Sequence, residues 1–264
     1  MTDRYSSYAN LKFDRPVEHV LRICINRPAR LNALTSSAHT ELTEVWRDVD
    51  TDPSVRAVIL CGAGKAFSVG GEFDVVDAII TDFDTRSRAL REAHDLVYNI
   101  INCSKPIVSA MQGAVAGGGL ALGLLADISI AAKTARLFDG HTRLGVCAGD
   151  HATIIWPLLC GMAKAKYYLL LCEQITGEKA EEIGLVSMAV DEADLEQTAL
   201  NVATRLAKGA PMAISATKYA LNNWLRMAGP AFDASLAMQF FGFGGSEPRE
   251  GLASHREKRP PVFK

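Results

Sequence analysis

Side chains able to move a proton are concentrated in LFDGHTRLGVCAGDHATIIWP, residues 137–157. Histidine suits proton transfer near neutral pH, and Asp150 lies nine residues after His141. An aspartate can orient such a histidine and favour its protonated form, as in hydrolase triads. Alternatively, Asp150 only caps a helix that begins near residue 151. Asp139 and Arg143 flank His141 and either contact substrate or pair together, whereas His151 on a helix would point away from Asp150.

Two glycine clusters follow predicted strands and offer backbone amides. Gly117, Gly118 and Gly119 come after PIVSAM, and Gly70 and Gly71 lie within KAFSVGGEFD. Glycines at a helix N-terminus leave amide groups unpaired and let a ligand approach the backbone. Two such turns can supply converging amides, which would form an oxyanion hole for a carbonyl oxygen. The alternative is that the glycines serve only tight packing.

The glycine-rich stretch GAVAGGGLALGLLADISIAA, residues 113–132, does not fit two other roles. Asp127 interrupts it short of the roughly 20 apolar residues that a membrane span needs. The dinucleotide pattern G-x-G-x-x-G fails because Leu122 stands where its third glycine belongs. CGAGKAF ends in Gly-Lys but has Ile59 and Ala66 at two positions of the phosphate-binding loop pattern. The sequence therefore predicts neither a membrane span nor a nucleotide site here.

The elements that must position these residues alternate between strand and helix over the first half of the chain. Strands are predicted at 17–28, 56–62, 105–111 and 126–132. A helix is predicted over 36–52, with Leu42, Val45, Trp46 and Val49 on one face and Ser36 or Ser37 as its cap. Further helices are expected at about 85–102, 151–171, 192–208 and 211–227. The pattern predicts an α/β core followed by a helical C-terminal portion.

Composition restricts the classes of partner and the compartment. The chain has 264 residues and a net charge of −2, which argues against nucleic acid as the main partner. The six cysteines are scattered without CxxC spacing, so neither a metal site nor a disulfide framework is expected. The N-terminus lacks the basic start and apolar stretch of a signal peptide. We expect a cytoplasmic protein that does not bind a membrane.

Four ordered segments carry a family resemblance that covers nearly the whole chain. They are NRPARLNALT (26–35), GKAFSVGGEFD (64–74), GAVAGGGLALGLLADI (113–128) and REGLASHREKRPPVFK (249–264). In this order they resemble the CoA loop, the two oxyanion segments and the C-terminal tail of the crotonase, or enoyl-CoA hydratase/isomerase, superfamily. The resemblance implies an α/β fold with a ClpP-like ββα spiral core over 1–200 and a helical trimerisation region over 201–264.

The resemblance also implies roles for individual residues and an assembly. The amides of Gly71 and Gly118 would polarise the thioester carbonyl of an acyl-CoA and stabilise an enolate. The residues expected to bind substrate or CoA are Arg30, Leu31, Ala33, Glu72 and Phe263. Coenzyme A would be part of the substrate, with no separate cofactor, and the chain would form a homotrimer or a dimer of trimers. Glu72 has a second interpretation, as an exposed acid favoured by a helix dipole.

The chain departs from the hydratases of this superfamily at both catalytic glutamates. The matching positions are Ala121 and His141. Because alanine cannot move a proton, two-carboxylate addition of water cannot run in the usual way. The remaining histidines, His19, His39, His94 and His255, have no constellation around them and are expected on the surface or in packing.

The segment DGHTRLGVCAGDHATIIWP resembles a smaller branch, the β-diketone hydrolases, which pair a histidine and an aspartate at this separation. Those enzymes cleave a carbon–carbon bond between two carbonyls by a retro-Claisen reaction. The leading hypothesis is therefore hydrolytic cleavage of a β-dicarbonyl, CoA-linked substrate, with His141 as general base and Asp150 orienting it. Two alternatives stay open: a divergent hydratase or isomerase, and a catalytically silent acyl-CoA-binding homologue.

Overall fold

The computed structural model describes residues 4–264 and contains two sheets. The strands of the larger sheet are β1 (Leu11–Val17), β2 (Val20–Ile25), β3 (Ala57–Gly62), β4 (Ile107–Met111), β6 (Ile128–Ala132) and β9 (Met188–Val190), in that spatial order. The smaller sheet orders β5 (Ala114–Ala116), β7 (Arg136–Phe138) and β8 (Ile175–Thr176). All pairings are parallel except β1 with β2 and β7 with β8.

The chain passes between the two sheets as it advances, which gives successive ββα turns. The helices of the first part are α1 (Ser36–Asp50), α2 (Phe73–Thr81), α3 (Phe83–Asn102), α4 (Gly118–Leu125), α5 (His141–Leu144), α6 (Ala152–Leu171) and α7 (Gly177–Glu182). Strand β4 of the large sheet leads to β5 of the small sheet and then to α4, and β6, β7 and α5 repeat that order. The predicted ββα spiral is confirmed.

The C-terminal part is helical. Its helices are α8 (Leu195–Lys208), α9 (Pro211–Leu221), α10 (Asn223–Met227), α11 (Gly229–Gly242) and α12 (Glu247–Glu257). Helix α8 packs on β3 and β4, α11 packs on α3 and α6, and α12 packs on α2 and α5. An ion pair anchors α9, since Nζ of the buried Lys218 lies 2.8 Å from Oδ2 of Asp127.

Most predicted elements are present, with a few corrections. Helix α1 buries Leu42, Val45, Trp46 and Val49 as expected. Its cap is Thr35, whose hydroxyl accepts from the amide of Ala38, rather than either serine. The predicted strand 17–28 is the second half of a β1–β2 hairpin, and the predicted helix 211–227 divides near residue 222. Helix α4 begins at Gly118, the second of the three glycines expected to form the turn.

Helix α6 is long and apolar enough to cross a membrane, judged by length and composition alone. Its first half contributes Ile154, Ile155 and Trp156 to the hydrophobic core. Gly161 departs from helical backbone angles with φ of 77°, so the helix is kinked there. The core role of its first half accounts for the apolar sequence of that half.

Candidate active site

The site lies where three parallel segments end side by side. Ser68 pairs in parallel with Val115 of β5, and Ala116 of β5 pairs with Phe138 of β7. The chain continues from these segments into Gly70 and Gly71, into Gly117 and Gly118, and into Asp139 and His141. Ligands of parallel sheets bind beyond the carboxyl ends of the strands. The register of short strands thus brings together residues far apart in sequence.

The first glycine turn is held by Leu34. Its amide donates to the carbonyl of Gly70 over 2.7 Å, and its carbonyl accepts from the amide of Glu72 over 3.0 Å. Gly71 lies between these two hydrogen bonds. In a parallel bridge of this kind its own amide points away from Leu34. Gly71 lines the cavity described below, so this amide is placed to meet a ligand.

The second glycine turn begins α4. Gly118 is its first residue, and the first amides of a helix have no acceptor within it. Gly117 before it has φ of 49°, which glycine adopts readily. A Cβ on Gly70 would lie 2.9 Å from the carbonyl oxygen of Ala116 and 3.4 Å from Cα of Gly117, so the two turns are in contact. A side chain at Gly70 would therefore push the turns apart.

Asn32 fixes the loop between β2 and α1 that carries the predicted CoA-binding residues. It is fully buried, and its side-chain amide donates to the carbonyls of Ala63 and Ala66. Its side-chain oxygen accepts from the amide of Arg27. The Arg27 guanidinium lies 2.8 Å from Oε1 of Glu72, the residue after Gly71. An ion pair therefore joins this loop to the first glycine turn.

A cavity of about 810 Å³ connects these features, within the range of small-molecule sites. Gly71, Gly118, His141 and Asp150 line it, and the loop residues Arg30, Leu31 and Ala33 lie at its wall with Glu72. Phe263 lies in the extended tail, is 41% exposed and does not line this cavity. Apolar side chains of α2, α3 and α11 form much of the remaining wall, including Val76, Ile79, Ala93 and Phe240.

The histidine and aspartate predicted to act together lie side by side. Nε2 of His141 is 3.4 Å from Oδ2 of Asp150, and Nδ1 of His141 is 2.9 Å from both oxygens of Asp139. His151 also takes part, since its Nδ1 lies 2.5 Å from Oδ1 of Asp150. The expectation that His151 would point away was wrong, because His151 precedes α6 with extended φ of −161°. Asp139 pairs with His141 rather than with Arg143.

The contacts within the cluster shift the pKa values of His141, Asp150 and Asp139. Burial alone would lower the pKa of His141, but the charges of Asp139 and Asp150 outweigh it and raise that pKa well above its ordinary value. Burial would raise the pKa of Asp150, but the positive charge of His141 and the contact with His151 hold it well below its usual range. The pKa of Asp139 is lowered as well, because His141 again outweighs burial. The raised pKa of His141 and the lowered pKa values of Asp139 and Asp150 favour an imidazolium between two carboxylates.

These contacts argue against two of the alternative interpretations, Asp150 as a helix cap and Glu72 as an exposed surface acid. Within the described residues 4–264 no side-chain hydrogen bond caps α6, and Asp150 faces the two histidines instead. Glu72 pairs with Arg27 and lines the cavity. Two histidines set aside in the sequence, His39 and His255, also line it. His39 lies 3.4 Å from Glu92, a contact between α1 and α3 that no local spacing indicates.

The fold places two glycine turns and a cluster of histidines and aspartates in the wall of one cavity. The sequence profile of the enoyl-CoA hydratase/isomerase family matches residues 16–264. The chain belongs to this family, and so to the crotonase superfamily of acyl-CoA enzymes.

Individual relatives cover most of the chain. It is 30% identical to the 1,2-epoxyphenylacetyl-CoA isomerase of Escherichia coli over 92% of this chain and 94% of that protein. It is also 30% identical to the short-chain-enoyl-CoA hydratase of Clostridium acetobutylicum, over 90% and 91% of the two chains. The crystal structure of an enoyl-CoA hydratase/isomerase from Mycobacterium paratuberculosis superposes with a TM-score of 0.88 at 30% identity, covering 93% of this chain and 98% of that one.

Proposed function

We propose that the protein hydrolyses a carbon–carbon bond in a β-keto acyl-CoA, using His141 and Asp150 for proton transfer and the amides of Gly71 and Gly118 as the oxyanion hole. The observation that carries the proposal is that both pairs line one cavity. Ala121, at the position of one family glutamate, supplies no proton-transfer group, so we assign the proton transfer to the cluster around His141. The local resemblance to the β-diketone hydrolases supports hydrolysis over the other single-cluster reactions.

Charge balance sets what the cluster can do. The pKa shifts favour an imidazolium at His141 between two carboxylates, so a carboxylate is the group left to accept a proton. Asp150 is the natural acceptor, since its side chain is 18% exposed and lines the cavity, whereas that of Asp139 is fully buried. The proposal therefore modifies the role predicted from the sequence: His141 is the positively charged partner and donor, and Asp150 receives the proton.

The reaction follows in balanced steps. Asp150 takes a proton from water as the water oxygen attacks the keto carbon, and Nε2–H of His141 stabilises the alkoxide that forms. The bond between the keto carbon and the α-carbon breaks, and its electron pair becomes the enolate of the thioester. The amides of Gly71 and Gly118 hold that enolate oxygen. The proton on Asp150 then passes to the α-carbon, which gives a carboxylic acid and a shortened or ring-opened acyl-CoA.

A second candidate is isomerisation or hydration of an unsaturated acyl-CoA. The 30% identity to a protein named 1,2-epoxyphenylacetyl-CoA isomerase favours it. Isomerisation needs only one group to remove a proton from one carbon and return it to another, and the same cluster can do this. A silent acyl-CoA-binding protein is the third candidate and predicts tight binding without turnover.

A turnover assay separates these candidates. The wild type, His141→Ala and the control His94→Ala are each given a cyclic β-keto acyl-CoA and an unsaturated acyl-CoA. His94 is a matched histidine, because it contacts Asp95 over 3.2 Å but lies outside the cavity. We expect ring opening that His141→Ala abolishes and His94→Ala preserves. Hydration or double-bond migration that persists in His141→Ala would refute the proposal.

We extend the proposal to the oligomeric state of the protein and to its cellular location. Apolar side chains on α9, α10 and α11 are exposed in the single chain, including Met212, Trp224, Met227 and Phe241. Large exposed apolar groups of this kind mark interfaces between proteins. We propose that residues 201–264 form the trimer contact, that trimers associate in pairs or stand alone, and that the enzyme works in the cytoplasm without a separate cofactor.

A further inference from the structure

Four ionisable side chains beside the cavity form a closed ring in which carboxylates and imidazoles alternate. Asp139 contacts Nδ1 of His141 at 2.9 Å, and Nε2 of His141 lies 3.4 Å from Asp150. Asp150 contacts Nδ1 of His151 at 2.5 Å. Nε2 of His151 lies 3.8 Å from Oδ2 of Asp139, which closes the ring. Each imidazole therefore lies between the same two carboxylates.

The members of this ring differ in access to the cavity. His141 and Asp150 line it, with side chains 10% and 18% exposed. Asp139 and His151 have side chains that are fully buried, and neither lines the cavity. A group without access to substrate can act only through a neighbour. The ring thus divides into an outer pair, His141 and Asp150, and a buried support pair, Asp139 and His151.

Asp139 contacts both the backbone and the side chain of His141. Its Oδ1 accepts from the backbone amide of His141 over 3.2 Å as well as from Nδ1 of the ring. These bonds fix the start of α5 and the rotation of the imidazole together. With Nδ1 turned to Asp139, Nε2 is the nitrogen that faces Asp150 and the cavity.

His151 holds Asp150 in the corresponding way. Its Nδ1–H donates to Oδ1 of Asp150, which leaves Oδ2 for His141 and for a water in the cavity. Among residues 4–264, Nε2 of His151 has no hydrogen-bond partner.

We propose that Asp139 and His151 are positioning residues: Asp139 orients His141, and His151 orients Asp150, so that the outer pair presents one N–H and one carboxylate oxygen to the substrate. This inference rests on the proposed function for its catalytic meaning, but the orientation itself is independent of the substrate. It adds these two positioning residues to His141 and Asp150.

The donor atoms of Asp139, Asp150 and His151 also lie within 4.8 Å of one another, a spacing that would suit a divalent cation. His141, however, already lies between the two carboxylates and supplies a positive charge there. We therefore assign the cluster to proton chemistry. Activity that a chelator removes and a divalent metal restores would overturn this assignment.

The test begins with the wild type, so that it does not depend on a variant folding. Nitrogen-15 NMR of histidine-labelled protein, with the His141 signals assigned by loss in His141→Ala, reports which ring nitrogens carry protons. We expect Nδ1 of His141 to be protonated at neutral pH and coupled to Asp139. The groups that bear on this titration are Asp139, Asp150, His151 and the nearby thiol of Cys147. An unprotonated Nδ1 at neutral pH would overturn the proposal.

Asp139→Asn then removes the charge while keeping the shape. We expect the pKa of His141 to fall, and kcat to fall about 10²-fold or more while KM changes less than about threefold. Asp95→Asn is the matched control, since it removes a carboxylate beside His94 outside the cavity. A pKa of His141 and a kcat that both stay at the wild-type values would overturn the proposal.

His151 is tested by rescue. Asparagine can place its side-chain amide near the position of Nδ1, so His151→Asn should retain the donor to Asp150 and most of the activity, whereas His151→Ala should lose about tenfold or more in kcat. Equal kcat in the two variants would contradict the assigned role. If the pKa of His141 falls in Asp139→Asn while no substrate class is turned over, the orientation stands and the proposed function fails.

Discussion

Nε2 of His141 and Oδ2 of Asp150 lie 3.4 Å apart in the wall of a cavity that also exposes Gly71 and Gly118. This distance is longer than the 2.9 Å from Nδ1 of the same histidine to Asp139. The looser contact is on the side that faces the substrate. A water or a substrate oxygen can therefore share the proton on Nε2 and the carboxylate of Asp150 without breaking the tighter pair.

The outer pair gives the first prediction. Asp150→Asn removes the proton acceptor but keeps an oxygen near His141, so kcat should fall by about 10²- to 10⁴-fold, the usual contribution of general acid–base catalysis. Steady-state kinetics on the β-keto acyl-CoA measures this. Asp191→Asn, which breaks the exposed pair with Lys133, is the control. Unchanged turnover by Asp150→Asn would show that another group accepts the proton.

The pH dependence follows from the protonation state of His141. Its pKa is raised well above the ordinary 6.5, because the two carboxylates outweigh burial. Activity that needs protonated His141 is therefore present through neutral pH and lost on the alkaline side, as pH rises through the raised pKa. Because the pKa of Asp150 is lowered, activity should be lost on the acid side only below pH 3.8, the ordinary pKa of an aspartate. A profile of kcat/KM that rises with pH around 6.5 would instead indicate neutral His141 as the base.

The oxyanion amide of Gly118 can be removed with limited effect on the helix. Proline is tolerated at the first position of a helix and has no amide hydrogen, so Gly118→Pro deletes the donor. We expect kcat to fall by about 10²- to 10³-fold, as for loss of one oxyanion donor. Gly118→Ala keeps the amide, although its Cβ would lie 3.3 Å from Cδ1 of Leu34. Circular dichroism checks both folds, and equal activity of the two variants would argue against this donor.

The ion pair between Arg27 and Glu72 should affect binding more than chemistry. It joins the predicted CoA loop to the first glycine turn over 2.8 Å, with both side chains about one quarter exposed or less. Glu72→Gln should therefore raise KM by about two- to fivefold with kcat nearly unchanged, consistent with the small energy of partly exposed pairs. A large fall in kcat with constant KM would instead place Glu72 in the chemistry.

The pair between Lys218 and Asp127 should matter for stability. The Lys218 side chain is 5% exposed, and its Nζ also donates to the carbonyl of Lys105. Lys218→Met leaves the carboxylate of Asp127, whose side chain is 19% exposed, without its cation, so the free energy of unfolding should fall by about 1–3 kcal/mol. The double variant with Asp127→Asn should recover part of this loss. Urea unfolding measures both, and no loss in the single variant would contradict the anchoring role.

The longer elements could be predicted from the sequence because their periodicity is strong. Leu42, Val45, Trp46 and Val49 mark one face of α1, and they are buried as expected. The three-residue strands β5 and β7 were not predicted, since three residues carry too little periodicity to separate strand from loop. Their pairing of Ala116 with Phe138 is what brings the glycine turn next to His141.

The outer pair could be proposed from residue types and family position, but the support pair could not. Asp139 was assigned a choice between substrate and Arg143, and His151 was expected to point away. The first expectation rested on the position of Asp139 beside His141, and the second assumed that His151 lies on a helix. The structure places residues 145–151 outside regular helix, so the side chains turn back toward each other. Such a return of the chain depends on packing against distant elements such as α11, where Gln239 accepts from the amide of Gly149.

The most direct test of the proposed function is the fate of water oxygen. The wild-type enzyme is incubated with a cyclic β-keto acyl-CoA in water enriched in oxygen-18, and the product is analysed by mass spectrometry. Carbon–carbon hydrolysis predicts one heavy oxygen in a new carboxylate on a ring-opened acyl-CoA. With an unsaturated acyl-CoA, a heavy hydroxyl would indicate hydration, and a rearranged product without label would indicate isomerisation. Either of those, with the β-keto substrate left intact, would contradict the account.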